Sequence, residues 1–222
     1  MSLNRYKQLK RNYPNLFVNP PGCLHQIIDE ESIIKVESNR LGLKVGVVAE
    51  DQYFLFLRDL VINPRIPDSK PYTYDRVISK NSLDGTPLVA VLPFVGNKIF
   101  LQKIFRHATR EFHWEIPRGF GQPGHSPLET AREELESEMG IRAETWTELG
   151  GIHSDSGITA NYLKVFLAQD DTLSRKIPQI VEGVLKIKAF PIDEVNAMIK
   201  GGQITDSITI SAICLASLLK LI

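Results

Sequence analysis

Between Gly119 and Ile141 the chain passes from a loop broken by glycine and proline into one strongly specified helix, and this segment constrains the fold more than any other. Ser126-Pro127-Leu128-Glu129 reads as a capping box with proline at the first helical position. Leu128, Ala131, Leu135 and Met139 then recur at three- and four-residue steps, so a single apolar stripe must face a core. Gly140 is placed to end the helix. A helix with one apolar stripe needs a second layer to bury it, and the flanking sequence supplies strands.

PLVAVLPFV and KIFLQKIF flank Gly96-Asn97, which predicts a two-residue hairpin turn. Residues 106–125 read as a long loop. Strands are expected near 144–150, 162–168 and 184–190. Helices are expected over 192–200, stopped by Gly201-Gly202, and over 207–221, capped by Asp206. In the last helix Ile208, Ala212, Leu215, Leu218 and Ile222 fall on one face. Strands and helices interleave without a regular βαβ rhythm. This predicts an α+β fold in which helices sandwich a mixed sheet.

Upstream, residues 1–31 combine a short basic helical pattern with Pro14, Pro20 and Pro21, and read as an N-terminal arm. Residues 32–62 are rich in β-branched and aromatic side chains, and IIKVES, LKVGVVAE and YFLFLRDLVI predict three strands. NPRIPDSKP reads as a linker. The expected division is therefore 1–70, an arm and small β module, and 71–222, the main domain. Those apolar strands are too small a set to bury both faces alone, which favours dimerisation through the module.

Lys+Arg and Asp+Glu number 26 each, so the formal net charge is zero. That removes the electrostatic case for a nucleic-acid clamp or an anionic membrane surface as partner. The last apolar stretch, 208–222, contains Ser211, Ser217 and Lys220, and is too short and polar to span a bilayer. The N-terminus has no apolar signal core. Cys23 and Cys214 alone make neither a disulfide framework nor a metal knuckle, and a reducing, cytoplasmic setting is expected.

Charge is locally polarised. Between Glu129 and Arg142, Glu129, Glu133, Glu134, Glu136 and Glu138 stand against only Arg132 and Arg142, a local excess of three negative charges. Glu136 and Glu138 lie in the last turn, where the helix dipole disfavours them. Glu134 and Glu138, four residues apart, share a face and repel. A bound cation would relieve both penalties; a solvated acidic face is the plainer alternative.

The run from Gly119 to Ile141 resembles the Nudix box, G-x5-E-x7-R-E-U-x-E-E-x-G-U with U a bulky aliphatic residue. Gly119, Glu134, Leu135, Glu138, Gly140 and Ile141 match in register, six of nine positions. His125, Glu133 and Ser137 depart, standing where the family has Glu, Arg and Glu. The preceding WEIPRG is similar to the family's W-E-L-P-x-G entry. RHATREFHWEIP and GGQITDSITISAI resemble the arginine-bearing loop and the C-terminal helix start of the ADP-ribose pyrophosphatase branch. The resemblance extends over roughly residues 85–222.

The resemblance implies a Nudix fold and hydrolysis of a nucleoside diphosphate linked to another moiety, ADP-ribose-like or a nucleotide sugar. It implies Mg²⁺ or Mn²⁺ as cofactor, held by Glu134, Glu138 and the Gly119 carbonyl, with Glu134 also a candidate base. Such hard cations bridge phosphate oxygens and lower the pKa of attacking water. Ser137 brings an oxygen but no charge, so weaker or fewer bound metals are expected. Arg106 and Glu115 fall where the branch places groups near the diphosphate; a structural ion pair between them is the alternative. The loop HSDSGITAN replaces a loop that carries a catalytic Glu in that branch, and Asp155 or Glu182 are the substitutes available. His125 and Glu133 form an acid–base pair of reversed polarity at positions the family pairs, with Arg132 as an alternative partner. The branch often dimerises through an N-terminal β module, which again implies a homodimer. The rival implication is a catalytically weakened Nudix fold acting as a nucleotide sensor or interaction domain. His107, His113 and His125 share one loop region but lack a zinc motif. Phe105, Phe112, Trp114 and Phe120 could stack on a base or simply pack.

Overall fold

The computed structural model describes residues 3–170, 174–175 and 183–222. They form two compact units, Met1–Leu83 with Asp155–Ala160, and Asp84–Ser154 with Asn161–Ile222.

In the first unit, α1 (Leu3–Asn12) buries Tyr6 and Leu9, and a 3-10 turn (Pro14–Phe17) follows. Next come β1 (Gln26–Ile27), α2 (Glu31–Leu41), β2 (Gly46–Glu50), β3 (Phe54–Ile62), β4 (Tyr72–Ser79) and the short α3 (Lys80–Leu83). β3 is the hub of an antiparallel sheet, pairing with β1, β2 and β4. Two expectations are corrected. IIKVES is helical, not a strand. Its β-branched residues are outweighed by i,i+4 and i,i+3 ion pairs, Lys35–Glu31 and Arg40–Glu37, and by Gly42, which ends the helix at φ 67°. The unit boundary also falls at 83/84 rather than at 70. β4, beyond the Pro-rich linker, pairs with β3 from Phe54↔Ser79 to Val61↔Tyr72 and so belongs to the first unit.

The second unit contains β5 (Leu88–Val95), β6 (Lys98–Arg106), β7 (Glu111–Glu115), β8 (Arg118–Phe120), α4 (Pro127–Met139), β9 (Ile141–Arg142), β10 (Thr145–His153), β11 (Tyr162–Asp170), β12 (Ser174–Arg175), β13 (Val184–Pro191), α5 (Ile192–Lys200) and α6 (Ser207–Leu218). The main sheet runs β10-β11-β5-β6-β13, with β7 beside β6 and β8 beside β5. Only the β11–β5 pair is parallel, so the sheet is mixed as expected. Gly96 and Asn97 make the predicted hairpin turn at φ 54° and 62°, the positive-φ pair that a two-residue turn requires.

Strand alternation sends side chains to two cores. Val89, Val91, Val95, Phe100 and Phe166 pack with Ala131, Leu135 and Met139 of α4. Ala90, Leu92, Ile99, Leu101 and Val165 pack on the other face with Val195 and Met198 of α5 and Ile208, Ala212 and Ala216 of α6. Helices thus cover both faces of the sheet. In α6 the buried residues are Ile208, Thr209, Ala212, Ile213 and Ala216, a stripe rotated from the expected one, and Leu218 is exposed. The expected loop over 106–125 instead contains β7 and β8, because β6 and β5 supply pairing partners to Glu111–Glu115 and Arg118–Phe120, Gly119 included. No described helix is long and apolar enough to cross a membrane.

Candidate active site

The helix predicted after Ser126 forms as its sequence dictates. Ser126 Oγ accepts from Glu129 N at 3.2 Å, and Glu129 Oε2 accepts from Ser126 N at 2.8 Å. Gly140 ends the helix at φ 66°. With Ala131, Leu135 and Met139 buried, the half-buried Glu134 and Glu138 lie on an adjacent face.

β8 brings Gly119 to that face by pairing with Val89 of β5. Its lack of a side chain is used: a β-carbon at 119 would lie 2.4 Å from Glu134 Oε1 and 2.7 Å from Oε2. On the other side, Gln102 Nε2 of β6 donates to Glu138 Oε2 at 2.8 Å. Gln102 is fully buried, and its Oε1 has no hydrogen-bond partner among the described residues. Sequence reasoning missed Gln102, although a lone amide at a core position of KIFLQKIF was a signal.

These donors fit a hard cation. Two carboxylates, a backbone carbonyl and an orphaned amide oxygen are the all-oxygen set that Mg²⁺ or Mn²⁺ takes. The set is small, for no group of three Asp, Glu, His or Cys side chains stands ready as a cage among the described residues. Ser137 is exposed, and its hydroxyl donates to Glu134 O of its own helix at 3.3 Å.

The reversed pair is formed: His125 Nδ1 and Glu133 Oε2 are 3.1 Å apart, tying the loop to the helix. Arg132 instead lies over the Trp146 ring at 5.9 Å.

Arg106 and Glu115 meet directly. Arg106 Nε and Nη2 donate to Glu115 Oε2 at 2.9 and 2.5 Å. Glu115 is buried, and Arg118 Nη2 donates to the same oxygen at 3.0 Å. Burial is the largest influence on Arg106 and opposes its charge, but the bond to Glu115 together with the negative charges of Glu115, Glu138 and Asp206 holds the guanidinium pKa above its ordinary value. Arg118 Nη1 reaches Asp206 Oδ1 at 2.8 Å, while Asp206 Oδ2 caps α6 by accepting from Thr209 N at 2.8 Å. Thr209 Oγ1 in turn accepts from Ile116 N at 3.1 Å. This network clamps the strand before Gly119 onto α6. The sequence offered its Asp206 cap and, as an alternative, the Arg106–Glu115 ion pair; the links through Arg118 to Asp206 and from Ile116 to Thr209 join residues 88 and 93 positions apart.

Asp155 belongs to the first unit, where Oδ1 accepts from Gly157 N at 3.0 Å within its own loop. Glu182 lies outside the described residues. His107, His113 and His125 form no shared centre: His107 meets Arg110, and His113 meets Thr109.

The sequence pattern of the NUDIX domain family matches residues 86–209. An ADP-ribose pyrophosphatase of Mycobacterium tuberculosis (strain ATCC 25618 / H37Rv) is 29% identical over 143 residues, 62% of this chain and 68% of that protein. A solved structure described as an ADP compounds hydrolase superposes with a TM-score of 0.67 at 19% identity, covering 80% of this chain and 91% of that one, a likeness of fold. With the family pattern spanning more than half of the chain, and including the loop, strand and helix that gather Gly119, Glu134 and Glu138, this chain belongs to the NUDIX domain family and is a Nudix hydrolase resembling its ADP-ribose pyrophosphatase branch.

Proposed function

We propose that this protein hydrolyses the diphosphate of a nucleoside diphosphate linked to another moiety, ADP-ribose-like or a nucleotide sugar. The reading is carried by the close approach of Gly119 to Glu134, with Glu138 one turn further along the same helix. The similarity to an ADP-ribose pyrophosphatase supports the substrate class.

Glu134, Glu138 and the Gly119 carbonyl are the residues that would hold Mg²⁺ or Mn²⁺. Such a cation, when bound, neutralises phosphate oxygens and makes water a stronger nucleophile. Gln102 orients Glu138 by donating its amide N–H to Oε2. Glu134 is the candidate base, accepting the proton of the water whose oxygen attacks phosphorus as the P–O–P bond breaks. Arg106, one third exposed and kept ionised by Glu115, presents its remaining N–H groups to a phosphate oxygen. Glu115 is too buried to touch substrate and acts as the anchor for Arg106.

A second reading, nucleotide binding with little turnover, draws on the exposed Ser137 in place of a third carboxylate and on Asp155 being held within its own loop. One screen separates the two. Nucleotide sugars are incubated with Mg²⁺ or Mn²⁺, coupled to a phosphatase, and phosphate release is followed. Release that depends on metal and is lost in Glu138→Gln is expected. Binding without release across the panel would leave the second reading.

We further propose a cytoplasmic homodimer built through the first unit. Val36 of α2, Tyr53 just before β3, Phe54 at its start and Ile66 in the loop after it are exposed there, apolar groups that a partner copy could cover. Light scattering at tens of micromolar protein (an order-of-magnitude choice for a stable dimer) should give twice the chain mass.

A further inference from the structure

The face of the main sheet turned away from α4 carries a feature that the hydrolytic site does not use. At one level of the sheet, three adjacent strands place Trp114, Lys103 and Lys186 side by side: Trp114 of β7 is opposite Lys103 of β6, and Lys103 is opposite Lys186 of β13. Alternation puts Lys188, two residues on, on the same face as Lys186. The neighbours of this row point the other way. Glu115 follows Trp114 and accepts from Arg106, and Gln102 precedes Lys103 and donates to Glu138 of α4.

Like charges directly opposite one another on a sheet are destabilising. Here three lysines crowd one cleft, and among the described residues Glu194, 3.7 Å from Lys188, is the one acidic side chain that lines it. Among the described lining residues two positive charges are therefore in excess. The ammonium groups are held over rings. Lys103 Nζ is 5.8 Å from the centre of Phe112 and 5.9 Å from that of Trp114. Lys186 Nζ is 5.4 Å from Trp114, and Lys188 Nζ is 4.3 Å from Phe190. Trp114 is itself fixed edge-on against the buried Phe190, with ring centres 5.0 Å apart. The rings thus preorganise the cations and spare part of the ordering cost of a ligand. Phe112 is 50% exposed, enough to offer ring surface to a planar group. The cleft is about 640 Å³, within the range of small-molecule sites.

We infer that this cleft is a second nucleotide site, separate from the Glu134–Glu138 site, in which Lys103, Lys186 and Lys188 hold the phosphates and Phe112 and Trp114 take the base. Lysine ammonium groups suit phosphate oxygens, and aromatic rings stack on any base. A second copy of the chain is the poorer occupant, since a two-fold contact would set these lysines against their own equivalents.

The test reads Trp114 rather than turnover, so it stands apart from the substrate proposal. The chain has two tryptophans, and their indole N–H signals are followed by NMR in the intact protein, without metal, as ADP, adenosine or pyrophosphate is added. ADP should shift the Trp114 signal saturably and leave that of Trp146 in place. Adenosine should bind about tenfold or more weakly than ADP, having lost the charge-assisted bonds. Added salt should weaken ADP binding. Lys186→Ala and Lys188→Ala, both at exposed positions, should each weaken it several-fold, and together by more than about tenfold. The inference is overturned if ADP leaves Trp114 unmoved at millimolar concentration, if adenosine binds as tightly as ADP, or if the double lysine variant binds as wild type. It is equally overturned if pyrophosphate matches ADP, since the rings would then have no part. A dimer that dissociates in the lysine variants would assign the face to a second copy instead.

Discussion

The carboxylate of Glu134 lies where a side chain at Gly119 would have to be, with Oε1 2.4 Å from the position of an added β-carbon. The clash is with the far end of a flexible side chain, and Gly119 is not among the positive-φ glycines, so backbone strain does not enter. Gly119→Ala should therefore fold normally but push the carboxylate aside. Displacing a catalytic group by about an ångström can cost on the order of a hundredfold in rate. The expected result is a melting temperature close to wild type with turnover down by roughly that factor; full activity would mean that the placement of Glu134 has no catalytic weight.

His125 and Glu133 are 3.1 Å apart at half-exposed and exposed positions. A contact of this exposure should couple weakly, by about 0.2–1 kcal/mol. In a double-mutant cycle, His125→Glu with Glu133→Arg should be milder than the sum of the two changes. Strict additivity in urea unfolding would show that the contact carries no energy in solution.

Ser137 sits on the exposed side of α4, with its hydroxyl turned back to Glu134 O. Ser137→Glu adds a carboxylate three residues from Glu134 and four from Glu133. Without metal the repulsion should cost about 0.2–0.5 kcal/mol per pair. With Mg²⁺ or Mn²⁺ the same charge should tighten binding, so the metal-induced rise in melting temperature should grow. Metal titrations of wild type and variant, run side by side, check this. Unchanged or weaker affinity would place residue 137 away from the metal.

Glu115 is 2% exposed and accepts from both Arg106 and Arg118. Removing its charge leaves two guanidinium groups short of an acceptor, although both retain some contact with solvent. Glu115→Gln should cost about 2–3 kcal/mol of stability by denaturant unfolding. It should also loosen Arg106 and raise KM. A loss below about 0.5 kcal/mol would reduce the network to a surface arrangement.

In the first unit, Glu50 is bonded by Arg5 at 2.8 and 2.9 Å and by Lys80 at 2.8 Å. The bond from Arg5, then that from Lys80, holds its carboxyl well below the ordinary 4.5, to about 2, against the opposing effect of burial. Because the folded value lies below the unfolded one, the stability gained is fully present above about pH 4.5 and is lost as pH falls through about 2. Acid unfolding followed by circular dichroism should show wild type losing more stability than Glu50→Gln across that window. Parallel curves would remove Glu50 from the acid response.

The helix over 127–139, its capping box, the hairpin at Gly96-Asn97 and the candidate ligands on one helical face were all legible in the chain. Each rests on spacing within a few residues, so local physics decides it. The segment 31–41 shows the limit of composition, because its β-branched residues read as a strand until ion pairs and the Gly42 cap made a helix. β7 and β8 were hidden in an apparent loop because a strand is stabilised by partners elsewhere in the chain, here β6 and β5. For the same reason only the tertiary structure could place Gln102 on Glu138, join Arg106, Glu115, Arg118, Asp206 and Thr209 into one network, and keep Asp155 in its own loop. The sequence by itself determined which chemical groups are present and which lie one helical turn apart. The packing of the sheet decided which of them meet, because contacts between residues 36 or 88 positions apart depend on strand register and helix docking that no local pattern encodes.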